Sequence, residues 1–282
     1  MIKIVADTTS CLTLEEVQKR GIYYVPQIIV IGEETYRDDT EMNAIQFLER
    51  QRTSPILPKT AAPPPALYTP IFQEITEQGN SAIVLAPSTQ VSGTYRGASV
   101  AAQDFPNTDI RIIDTQLIAG GLGQLVLMAQ EWAEQGLSMD EILQRVEAMR
   151  KRHRVYFVVD TLDYLYKGGR IGTARHLIGS LLQMKPILTL QDGHVASFES
   201  QRTQKRALAR LKEIVLSECP PGPESRLNIM HGDAFELARS LAEELGPALN
   251  IPVEQIPIYD LTPAILVHSG PGVIAISYYT KS

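Results

Sequence analysis

Hydrophobic positions along this chain follow two alternating rhythms. Short continuous apolar runs at 2–6, 81–86 and 110–114 are separated by stretches where apolar residues recur every three or four positions. Runs of that length bounded by turn residues read as buried strands, and the periodic stretches read as helices. The first half therefore predicts strands at 2–6, 23–31, 81–86 and 110–114, and helices at 42–52, 66–78, 94–103, 123–134 and 139–153. Thr13-Leu14-Glu15-Glu16 has capping-box spacing and opens a further helix that stops at Gly21. Between 55 and 65 the prolines crowd the chain, and no regular element is expected to persist there. Strands alternating with helices imply βαβ units on a mostly parallel sheet flanked by helices.

A strand at 156–159 closes this block, and the pattern changes from Asp160 onward. Gly168, Gly169, Gly172, Gly179 and Pro186 punctuate short elements. Runs at 187–190 and 195–198 flank Gln191-Asp192-Gly193-His194, a hairpin signal centred on its Asp-Gly pair. Helices at 204–218 and 235–245 frame a strand at 227–231, and strands at 253–259 and 272–277 follow. The reading is two α/β domains, 1–160 and a smaller one at 161–282. A length of 282 residues agrees with a prior of about two domains.

Composition narrows the function more than the fold. With 44% hydrophobic and 21% charged residues the balance is ordinary for a globular chain. A net charge of −6 argues against general nucleic-acid binding, which depends on clustered Lys and Arg. Cys11 and Cys219 can form neither a disulfide framework nor a four-ligand zinc site, and read as thiols in a reducing compartment. His153, His176, His194 and His231 lack metal-site spacing, so no metal is expected. No run approaches the ~18 apolar residues of a membrane span, and the start lacks the apolar core of a signal peptide. A soluble cytoplasmic protein, not an integral membrane protein, is expected.

Four places could carry chemistry. Ser92-Gly93-Thr94 follows a strand and a polar loop at a predicted helix start, where unpaired N–H groups and hydroxyls make either an ordinary N-cap or an anion site. Lys59-Thr60 precedes the prolines, in a segment able to reach over the crevice at the strand ends. Lys167-Gly168-Gly169-Arg170 permits close backbone approach beside a guanidinium, without the spacing of a nucleotide loop. Val267-His268 sits after a strand-like apolar run and before a Gly-Pro-Gly corner. The basic cluster at 150–154 reads as a solvated helix end. Arg202, Lys205 and Arg206 read as a solvated face or a docking face.

Seven segments taken together resemble the DegV family across the whole chain. They are VADTTS, KTAAPPP, VSGTYRGASVA, IIDTQLIAGGLG, DYLYKGGRI, ESQRTQKR and VHSGPG, in matching order and spacing. The resemblance implies two α/β domains with a long-chain fatty acid in a tunnel between them, and no enzyme activity or further cofactor. It implies that Thr60, Ser92 and His268 hold the carboxylate, with Gly93 and Thr94 at the helix start beside it. It also implies that Arg170 and Arg202 serve the head-group end and docking to a partner fatty acid kinase. The chain departs from the family pattern at Thr60-Ala61-Ala62-Pro63, where T-S-Q-P is usual, and at Cys11, where an acid is common. A serine hydrolase using Ser92 and His268 is the rival, although the first glycine of a nucleophile elbow is absent.

Overall fold

A computed structural model describes residues 1–178 and 184–281; Gly179 lies outside them. The first-half strands are β1 (Ile2–Asp7), β2 (Tyr23–Val25), β3 (Ile28–Ile31), β4 (Glu34–Arg37), β5 (Lys59–Ala61), β6 (Ser81–Ala86) and β7 (Ile110–Asp114). Four form an all-parallel sheet in the order β2-β1-β6-β7, as their apolar runs require. The expected strand at 23–31 is broken at Pro26-Gln27. Beyond the break, β3 enters a separate antiparallel sheet, β4-β3-β5. The proline-rich stretch thus holds a strand after all. Residues 59–61 lie between Pro58 and Pro63, keep their N–H groups, and pair with β3.

The second sheet comprises β8 (His153–Val158), β9 (Lys185–Gln191), β10 (His194–Gln201), β11 (Asn228–His231), β12 (Ile258–Asp260) and β13 (Ile274–Tyr279). Its order is β10-β9-β8-β13-β11-β12, antiparallel except between β11 and β12. The strand expected to close the first block, β8, therefore pairs with β9 and β13 of the second sheet. The predicted hairpin is present: Asp192 and Gly193 have φ of 48° and 77°, the left-handed pair that a two-residue turn uses.

The helices are α1 (Leu14–Lys19), α2 (Ala44–Thr53), α3 (Pro65–Glu77), α4 (Thr94–Ala102), α5 (Ala119–Glu134) and α6 (Met139–Arg152). After them come α7 (Asp163–Lys167), α8 (Gln204–Glu218), α9 (Phe235–Ala248) and α10 (Pro263–Ser269). The capping box that opens α1 is formed by Thr13 and Glu16. Helix α5 starts before the expected position 123, running through Gly120 and Gly121. Its backbone lies so close to His153 that a Cβ on Gly121 would collide with the imidazole. His153 is accordingly buried, not part of a solvated helix end. The apolar run before His268 is helical rather than strand-like, because Pro263 sits at its first turn. Residues 253–255 form a 3-10 turn after Pro252, which leaves β12 shorter than expected.

Alternation along the second sheet sorts its side chains. Tyr156, Val158, Ile187, Ile229, Ile274 and Ile276 pack with the apolar faces of α8 and α9. Their sequence neighbours point the other way, toward α5, α10 and the first half of the chain.

Candidate functional site

That second face walls an interior cavity. Phe157, Ala275 and Met230 lie side by side across β8, β13 and β11, and Val155, Leu190 and Val195 extend the wall. Ile118 and Ala119 at the start of α5, Ala264 and Ile265 of α10, and residues 91–93 face them. Most of this surface is apolar; the polar groups are Thr9, Gln27, Thr60, Ser92, Arg170, His268 and Ser269. Of the residues singled out in the sequence, Thr60, Ser92, Gly93, Arg170 and His268 line the cavity. Thr94 lies behind its wall, and Arg202 is exposed in the turn between β10 and α8.

Helix α10 touches β3, β5 and α7, which carries His268 onto the small sheet. There Thr60 Oγ1 and His268 Nε2 are 2.9 Å apart. The other ring nitrogen, Nδ1, is buried with no hydrogen-bond partner and faces the Gly168 backbone. Arg170 donates to the carbonyls of Val91 (3.2 Å) and Gly168 (2.8 Å), and among the described residues no carboxylate pairs with it. Burial, reinforced by Arg170, lowers the His268 pKa to about 4. The cavity thus presents a neutral imidazole, a guanidinium and hydroxyls, so the permanent charge resides on Arg170 rather than on a protonated His268. An anionic head group fits this set, because charged and neutral donors converge where an unpaired buried charge would be costly.

The geometry does not assemble a hydrolase relay. Ser92 Oγ meets Thr94 Oγ1 at 3.0 Å, and His268 Nε2 meets Thr60 instead. With no acid on Nδ1, the third member of a triad is missing among the described residues.

Sequence reasoning missed most of the polar groups that surround Thr94. Asp7, Thr8, Gln27 and Asp38 are buried with it, and Gln27 also reaches the cavity. Asp38 Oδ1 accepts from Thr8 Oγ1 (2.7 Å) and the Gln27 amide (2.8 Å), whereas its Oδ2 has no partner. Burial, with help from the nearby Asp7 charge, raises the Asp38 pKa to about 7. A carboxyl raised in the fold contributes stability that is lost as pH rises through the folded value. Asp38→Asn, which keeps the accepting oxygen, should therefore gain stability over the parent as pH climbs from 4 toward 7, then hold the gain. Chemical denaturation across that range checks it; a pH-independent difference would contradict the assignment.

Cys11 and Cys219 are free and buried. Among the described residues no cluster of His, Cys, Asp and Glu is suited to a metal, and no helix is long and apolar enough to cross a membrane.

Fold and cavity together define a three-sheet α/β protein with a polar-tipped pocket. The chain belongs to the DegV family, whose model, described as "Uncharacterised protein, DegV family", matches residues 1–281. A DegV domain-containing protein of Streptomyces coelicolor is 34% identical, over 98% of this chain and 97% of its own length. Two solved structures superpose along the whole length, each covering 99% of both chains at 30% identity. One is a DegV family protein from Thermus thermophilus described by its fatty acid binding, with a TM-score of 0.88. The other is DegV of Bacillus subtilis, a fatty acid binding protein, with a TM-score of 0.87.

Proposed function

We propose that this chain binds one long-chain fatty acid in this cavity, between its two α/β domains, and performs no chemistry on it. The observation that carries the reading is the convergence of Thr60, Ser92, Arg170 and His268 on a mostly apolar pocket. The fatty acid binding described for the Thermus thermophilus and Bacillus subtilis proteins supports it. In this reading the domain at 1–160 supplies Thr60, Ser92 and Gly93, with Thr94 behind them. The domain at 161–282 supplies Arg170 and His268. Burying a chain of about sixteen carbons yields on the order of 11 kcal/mol gross at ~0.8 kcal/mol per methylene. Association costs of several kcal/mol leave micromolar to nanomolar affinity.

Calorimetric titration of the delipidated protein tests this. Palmitate or oleate should bind once per chain with a negative heat-capacity change, and the methyl ester should bind far more weakly. Equal affinity for acid and ester would remove the head-group assignment.

The same reading extends to a cytoplasmic carrier that presents the carboxylate to a separate fatty acid kinase and carries away the acyl-phosphate. Arg202, exposed and apart from the cavity, is then a docking residue. Arg202→Ala should keep its fatty-acid affinity and lower turnover by an ATP-dependent fatty acid kinase; equal turnover with both proteins would refute docking through Arg202.

A further inference from the structure

We propose that Ser88, which does not line the cavity, is a positioning residue: its hydroxyl ties the Val91 loop to the β9–β10 turn and so seats the carbonyl on which Arg170 rests. The inference rests on the fatty-acid reading and deepens it.

Ser88 lies in the loop between β6 and α4 and is fully buried. Each of its polar groups has a partner. The amide donates to the Leu117 carbonyl (2.9 Å), just before α5. The carbonyl accepts from the amides of Val91 (3.1 Å) and Ser92 (3.0 Å), which closes a tight turn. The hydroxyl accepts from the Gln90 amide (3.2 Å) and gives its one proton to the Gly193 carbonyl (2.9 Å). Gly193 belongs to the β9–β10 turn of the second sheet. It approaches so closely that a Cβ on it would collide with Ser88 Oγ.

Val91 ends the same turn, three residues on. Its carbonyl accepts from Arg170 Nε at 3.2 Å, while the Gly168 carbonyl accepts from Arg170 Nη1 at 2.8 Å. The two carbonyls fix the plane of the guanidinium, using two of its five N–H donors. Gly168 is a near neighbour of Arg170 in sequence and moves with it. Val91 comes from the first half of the chain, and stays in reach only while its loop is held against the second. Ser88–Gly193 and Val91–Arg170 are thus parallel ties between the two halves, both made from one short loop. Cutting the first leaves the turn closed, because the turn's own bonds end on the Ser88 carbonyl, but lets it drift from Arg170. A guanidinium pivoting on Gly168 alone must be ordered when a carboxylate docks, and that ordering counts against binding.

Ser88→Ala, titrated with palmitate and with its methyl ester, tests the assignment. Palmitate affinity should fall by about five- to tenfold, part of what a hydrogen bond to a charged group contributes. Methyl palmitate brings no charge to Arg170, and its affinity should change by less than about twofold. With Arg170→Ala as background, Ser88→Ala should cost palmitate less than about twofold, although its effect on melting persists. Parallel losses for acid and ester, or an equal palmitate loss with and without Arg170, would overturn the proposal, since Ser88 would then act only through the fold. Unchanged palmitate affinity in folded Ser88→Ala would overturn it as well. If Ser88→Ala does not fold, Gly193→Ala decides the matter with the same two ligands, because its methyl group presses on the Ser88 hydroxyl from the opposite side. Failure of the parent chain itself to take up palmitate or oleate is a separate outcome: it removes the binding reading, and the role of Ser88 with it.

Discussion

Ser92→Ala is expected to weaken long-chain fatty-acid binding by about 1.5 to 3 kcal/mol while leaving the fold nearly as stable as before. The hydroxyl sits at the polar end of the cavity, just before α4, where the N-terminal N–H groups already favour an anion. Deleting it removes a donor that a buried carboxylate cannot replace from water. The fold keeps its stability because Thr94 Oγ1 retains both Asp7 and Gln27. Affinity loss without melting loss separates a ligand contact from a structural cap, the two readings the sequence left open. Titration beside a melting curve checks it. Unchanged affinity would return Ser92 to the role of a cap.

Gly168→Ala is expected to damage the same site from behind. Gly168 has φ of −76°, so its backbone accepts alanine without strain. Space is what it lacks. A Cβ there would collide with His268 Nδ1, and would lie 2.9 Å from the Tyr164 carbonyl. The imidazole has little room to retreat, since Nε2 is engaged with Thr60. Overpacking of this kind costs about 1 to 3 kcal/mol, and relief comes by pushing His268 off Thr60. Affinity should fall with stability. Gly169→Ala is the comparison: it has φ of 70° and nothing within 4 Å of a Cβ, so backbone strain should destabilise it by about 1 kcal/mol without touching the ligand. Fatty-acid affinity equal to the parent in Gly168→Ala would show that His268 does not hold the head group.

These two positions illustrate what was legible in the sequence. The strand, polar loop and helix around Ser92 follow from local periodicity and cap preference, and the adjacent glycines before Arg170 announced a close backbone approach. His268 was found as a residue, but its helix was not, because a four-residue apolar run fits strand and helix alike and only Pro263 tips it. Strand β8 was read with the wrong sheet: alternation says that a strand has two faces, not which neighbours it joins. Asp7 and Gln27 carried the weakest local signal. Asp7 reaches Thr94 across 87 residues of sequence, and no periodicity marks a partner at that distance.

Native mass spectrometry of the purified chain, followed by denaturing extraction of whatever it carries, tests the central claim most directly. The account predicts one long-chain fatty acid per chain, or its uptake when palmitate or oleate is added to the stripped protein. A chain that emerges empty and stays empty with added fatty acid would contradict it.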